Sequence, residues 1–179
     1  MSWSYDYVEE KRGEGWAWHH KALLRPAVLI QLAGSNPAAD TFVALVDSGC
    51  DHVLAPEWLA RLIGVEPDLN REVSIRIAGA SRRVRFADVT LRLCSPAASI
   101  GDPEPAIVAE WQAQVGFFLD WADPPWSLIL GQSGFFDQFT VVMSRLAQRL
   151  TIEPADFHDE QYPPGPAQGP PPAPPRFQP

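Results

Sequence analysis

FVALVDSGC, residues 42–50, is the stretch whose reading decides the fold. Five apolar residues run straight into Asp47-Ser48-Gly49, and a second apolar stretch, VLAPEWLARLIGV (53–65), follows at once. A Val-rich run of this length bounded by turn residues predicts a strand buried on both faces. Asp47 then stands where a core strand ends, a costly place for a carboxylate unless it is paired or hydrogen-bonded. Asp, Ser and Gly are also common turn residues, so an ordinary Asx-type turn accounts equally for the local composition.

Working outward, ALLRPAVLIQL (22–32) predicts a strand interrupted by Pro26, which confines that part to an edge or a strand start. GSNPAAD (34–40) is a turn, so the two strands form a hairpin that delivers Asp47. Pro56 suits the first turn of a helix that Gly64 ends, with Trp58, Leu59, Leu62 and Ile63 expected near one face. Residues 71–93 alternate through Val73, Ile75 and Ile77, then Val84, Phe86, Val89, Leu91 and Leu93, which predicts a long hairpin with Ala78-Gly79-Ala80-Ser81 at its tip. Residues 94–105 are loop, and residues 106–119 a strand pair or one long bent strand. Leu128-Ile129-Leu130-Gly131 repeats the pattern of buried strand and glycine turn, with Gly134 to Phe139 expected as a short helix; residues 42–64 and 127–139 look like halves of an internal duplication. Residues 140–152 supply two closing strands.

This order resembles that of the retropepsin-like, single-domain aspartic proteases: apolar-apolar-Asp-Ser-Gly, a central hairpin, then apolar-apolar-Gly before a short helix. The resemblance covers residues 22–153. It implies an all-β, closed-barrel acid-protease fold with one or two short helices and a flap hairpin. It also implies a catalytic Asp47, with Ser48 and Gly49 supporting the loop, Ala78, Gly79 and Ala80 forming the flap, and Leu128, Ile129, Leu130 and Gly131 contributing to the substrate pocket or to the loop that underlies it. Ser48 replaces the commoner Thr of the family but keeps its hydroxyl, and Cys50 replaces a frequent Ala, where packing suits it better than reactivity. Arg82 and Arg83, beside the tip, are placed to meet acidic substrate or solvent.

One Asp-Ser-Gly in 179 residues supplies half of a carboxylate dyad, so the implied enzyme is a homodimeric aspartic endopeptidase acting on polypeptides. The alternative is a catalytically silent dimerisation or peptide-binding module whose Pro-rich tail engages a polyproline-binding partner. The arm before Ala22 and the strand near Leu150 to Ile152 are candidates for tying the dimer. No metal site or cofactor is expected: Cys50, Asp51 and His52 are consecutive and converge poorly on one ion, as do His19 and His20.

Three segments are expected: a polar, aromatic arm (1–20), the protease-like domain (21–154) and a disordered Pro-rich tail (155–179). A hydrophobic content of 46% suits one sizeable core, and a net charge of −8 argues against nucleic acid or anionic membrane as the main partner. An acidic N-terminal stretch, two cysteines and no long apolar run point to a cytoplasmic location.

Overall fold

The computed structural model describes residues 1–10, 23–36, 41–77, 79–121 and 126–155. In chain order the elements are β1 (Trp3–Asp6), β2 (Val8–Glu10), β3 (Leu23–Arg25), β4 (Ala27–Ala33), β5 (Phe42–Val46), β6 (Val53–Pro56) and α1 (Glu57–Ile63). There follow β7 (Glu72–Ile77), β8 (Ala80–Cys94), β9 (Ile107–Phe118), β10 (Leu128–Leu130), β11 (Phe139–Ser144) and β12 (Arg149–Pro154).

Six strands close a barrel in the order β4-β5-β10-β6-β9-β8, and β4 pairs back onto β8 from Ile30↔Leu93 to Ala33↔Thr90. Closure removes free edges from these six strands. The 15-residue β8 shares one edge between two partners: its second half takes β4, and its first half takes β7 from Ile77↔Ala80 to Glu72↔Arg85. The β7–β8 hairpin therefore projects beyond the barrel wall. This all-β closed barrel, with one short helix among the described residues and a projecting hairpin, is the architecture that the retropepsin-like resemblance implies.

Parity along the strands divides the apolar residues between two clusters, because successive side chains of a strand face opposite ways. Val89, Leu91 and Leu93 of β8 point into the barrel with Leu128, Leu130, Val53 and Phe117. Val84 and Phe86, of opposite parity, point to the other face and meet Leu54, Phe118 and Ile129 in a second cluster under the hairpin. The apolar positions of β8 thus pass from even to odd between Phe86 and Val89, and the covered face changes with them. Burial on both faces belongs to β10, whose three residues are all buried, whereas Phe42, Val43 and Leu45 of β5 are only half-buried.

Helix α1 begins at Glu57, with Pro56 as its N-cap in the extended region (φ −70°, ψ 150°) rather than in the first turn, and is capped at Gly64 in the left-handed region with φ 69°. It buries Leu59, Ala60 and Ile63, while Trp58 and Leu62 lie on the exposed side. Positions 59, 60 and 63 fall within one face of a 3.6-residue period, and 58 and 62 form the neighbouring stripe.

Of residues 134–139, expected as a second helix, 134–138 form successive turns instead and Phe139 opens β11. Gly134 has φ +98°, outside the helical region, and the Asp137 carboxylate accepts the Gly134 N–H at 3.0 Å. The likeness between residues 42–64 and 127–139 therefore extends to the strand and glycine turn but not to the helix. Outside the barrel, β1, β12 and β11 form a three-stranded antiparallel sheet, with Trp3 paired to Ile152 and Tyr5 to Leu150. Part of the N-terminal arm is thus strand: Tyr5 is buried and donates to the Cys94 carbonyl at 2.9 Å. The rest of the arm (11–22), Ala78 and the tail from 156 lie outside the described residues.

Candidate functional site

Strand β10 is inserted between β5 and β6, parallel to β5 (Leu130↔Val46) and antiparallel to β6 (Ile129↔Leu54). The two strands flanking the Asp47 loop are therefore held apart, and residues 47–52 must arch over the end of β10. The backbone records that arch: Asp47 N donates to Leu130 O (3.0 Å), Gln132 N to Cys50 O (2.8 Å) and Ser133 N to Asp51 O (2.9 Å).

Gly131 lies directly beneath the arch and is buried. A Cβ there would stand 2.5 Å from Cys50 O and closer still to His52 O, so only glycine lets the two segments approach this far. Leu128, Ile129 and Leu130 form the strand below, with Ile129 directed to the second apolar cluster. These four residues support the Asp47 loop; none of them lines the cavity above it.

Asp47 is half-buried at the end of β5. Its Oδ1 accepts the Gly49 N–H at 2.9 Å, the Asx-type bond of a tight turn. Ser48 and Gly49 are exposed, and Ser48 O accepts from Gln132 Nε2 at 2.7 Å.

A cleft of about 520 Å³ opens above Asp47. Its floor is Asp47, Gly49, Cys50, Asp51, His52 and Leu54, and its opposite wall is the four residues of β7 from Ser74 to Ile77. Cys50, Ile75 and Ile77 pack against the second apolar cluster, and His52 sets its ring edge-on to Phe86 at 5.1 Å. One side of the cleft is thus apolar.

The hairpin closes with the pair Ile77↔Ala80. Gly79 has φ +81° with open space around it, as a tight turn requires. Ala80 is half-buried at the start of β8, and Ala78 lies outside the described residues. The body of β7, not the tip, lines the cleft. Sequence reasoning had focused on the tip and missed Ser74 to Ile77, although Ile75 and Ile77 carried the period-2 signal.

Arg82 and Arg83 are already engaged. The Arg82 guanidinium stacks on Trp121 at 5.0 Å and donates to Asp120 O, and Arg83 pairs with Glu72 and Asp120. The Cys50 thiol, donating to His52 O at 3.2 Å, is pushed above its ordinary range by burial first and by the Asp47 and Asp51 charges next. That shift disfavours a thiolate nucleophile and agrees with a packing role. Among the described residues no group of three His, Cys, Asp or Glu side chains is placed to hold a metal ion, and no helix is long and apolar enough to cross a membrane.

No protein-family model matches the chain, and no curated protein matches it. Among solved structures it is similar to the crystal structure of a retropepsin-like aspartic protease from Rickettsia conorii, at 15% sequence identity and a TM-score of 0.42, over 85% of this chain and 91% of that one.

Proposed function

We propose that this chain is an aspartic endopeptidase that works as a homodimer, with Asp47 of each protomer forming the carboxylate pair. The observation that carries the reading is the placement of Asp47: a carboxylate held by the arch over β10, on the floor of a peptide-sized cleft facing a projecting hairpin. Gln132 stands where a two-lobed enzyme would carry its second carboxylate, so the second one comes from a two-fold-related copy. The exposed Ser48 and Gly49 provide the face on which two such loops meet.

Two carboxylates sharing one proton can carry out hydrolysis without a metal or a covalent intermediate. The ionised one removes a proton from water as its oxygen attacks the scissile carbonyl carbon. The protonated one donates its proton to the carbonyl oxygen, giving a neutral gem-diol. A proton then passes to the amide nitrogen, the C–N bond breaks, and carboxylic acid and amine leave. The Ser48 hydroxyl orients the pair, the Gly49 N–H holds Oδ1 of Asp47, and the hairpin excludes water.

The test is cleavage of a peptide library by purified protein at several pH values, with Asp47→Asn as the comparison. The variant retains an oxygen for the Gly49 N–H, so it should fold and lose turnover. Mixing wild type with excess Asp47→Asn should suppress activity as mixed dimers form, and specific activity should fall on dilution. Undiminished turnover in Asp47→Asn refutes the catalytic assignment; a monomer of constant specific activity refutes the shared pair.

A further inference from the structure

We propose that Arg76 is a specificity-determining residue of the cleft and reads an acidic side chain, Asp or Glu, of the polypeptide substrate; the inference rests on the protease reading above. Arg76 is the only Lys or Arg among the described residues that line the cavity. It is an exposed residue of β7, one of the four consecutive residues that line the cleft opposite Asp47 and Asp51.

Its neighbours on the same hairpin are occupied. Arg82 stacks on Trp121, Arg83 pairs with Glu72 and Asp120, and Arg85 holds Glu72 at 2.7 Å. Arg76 has neither an ion pair nor a side-chain hydrogen bond with any described residue. Its five N–H donors are thus available at the mouth of a cleft sized for a peptide. A planar guanidinium matches a carboxylate bidentately, which an ammonium cannot do.

Charge makes the choice informative. The chain carries a net −8, and the cleft floor holds two carboxylates, so the general field repels acidic peptides. A preference for an acidic residue therefore requires a local cation, and Arg76 is the one the cavity offers. Ile75 and Ile77, which alternate with Arg76 along β7, face the second apolar cluster with Leu54.

The test uses full-length protein carrying Asp47→Asn, which binds without cutting, and fluorescent peptides in which Glu, Gln or Lys is stepped through each position. At low salt the Glu peptide should bind about three- to tenfold tighter than its Gln counterpart at one position, the range for a partly exposed charge-assisted pair. The preference should shrink with added salt. It should vanish when Arg76→Gln is added and turn toward Lys with Arg76→Glu, and the kcat/KM ratios of proteins retaining Asp47 should follow the same order. Equal Glu and Gln affinities at every position, or a Glu preference that survives Arg76→Gln, overturn the assignment, as does absence of peptide binding. A change confined to the pH profile would assign Arg76 to balancing the cleft carboxylates and also overturn it. Cleavage that persists in Asp47→Asn overturns the protease reading separately, since these affinities are measured without turnover.

Discussion

Substituting Gly131 by Ala tests the arch over β10 directly. The added Cβ would meet the carbonyl oxygens of Cys50, at 2.5 Å, and of His52, at a shorter distance, and both belong to backbone that cannot rotate away. Forcing one methyl into such a site costs about 1–3 kcal/mol. Relief requires the two segments to separate, which weakens the bonds from Gln132 N to Cys50 O and from Ser133 N to Asp51 O, each worth about 0.5–1.5 kcal/mol. The sum is roughly 2–6 kcal/mol, a large part of the ~5–15 kcal/mol that holds a typical domain. It corresponds to a Tm lowered by about 4–24 °C for a chain of this size. Urea unfolding followed by tryptophan fluorescence should show a lower midpoint with an unchanged m-value. Gly79→Ala is the control: it meets open space and pays only the left-handed φ, about 1–2 kcal/mol. A Gly131→Ala protein within about 0.5 kcal/mol of the parent, the range of neutral surface changes, would refute the account of the arch.

Two further predictions concern the core. Trp111 Nε1 donates to the buried Gly134 carbonyl at 2.6 Å, so Trp111→Phe should cost about 1–3 kcal/mol by leaving that oxygen unpaired, measured as a shifted urea midpoint; an unchanged midpoint would show that the bond contributes nothing. Burial, then the Asp102 charge, raise the Cys94 thiol from near 9.0 to about 11. Below pH ~9 both folded and unfolded chains keep that proton, and the buried neutral thiol costs nothing; between ~9 and ~11 the unfolded chain releases it while the folded chain holds it, so stability falls across that window. Cys94→Ala should flatten the fall, as read from unfolding midpoints at stepped pH, and an equally steep fall in the variant would reject the assignment.

Features carried by local pattern were legible in the sequence. The Val-rich run into Asp47, the helix between Pro56 and Gly64, and the β7–β8 hairpin all follow from periodicity and turn chemistry. What escaped was set by partners distant in the chain. β8 exchanges its covered face between Phe86 and Val89 because one half lies under the hairpin and the other faces the barrel, a difference that alternation alone does not encode. The turns at 134–138 follow from the positive φ of Gly134 and the Asp137 carboxylate, and a glycine opening a Phe-rich run gives no warning of either. Trp3, Tyr5 and Tyr7 did carry a period-2 signal, masked by the charged residues that follow. At the site, Asp47 and Gly131 could be read from their strands, whereas the cleft position of Arg76 depends on how far the hairpin projects.

Pairing β1 with β12 has a consequence for the order of events during synthesis. Ser4 and Thr151, opposite each other with hydroxyls 3.3 Å apart, are separated by 147 residues. At about 5–20 residues per second, β1 waits roughly 7–30 s on the ribosome before its partner strand has been made. During that interval its backbone is an unpaired edge and Tyr5 lacks its burial site, while finished copies on neighbouring ribosomes already present β12. A pairing of such long range also closes late and slowly in the isolated chain. The sheet that completes the molecule is therefore also the place where two nascent chains can exchange strands.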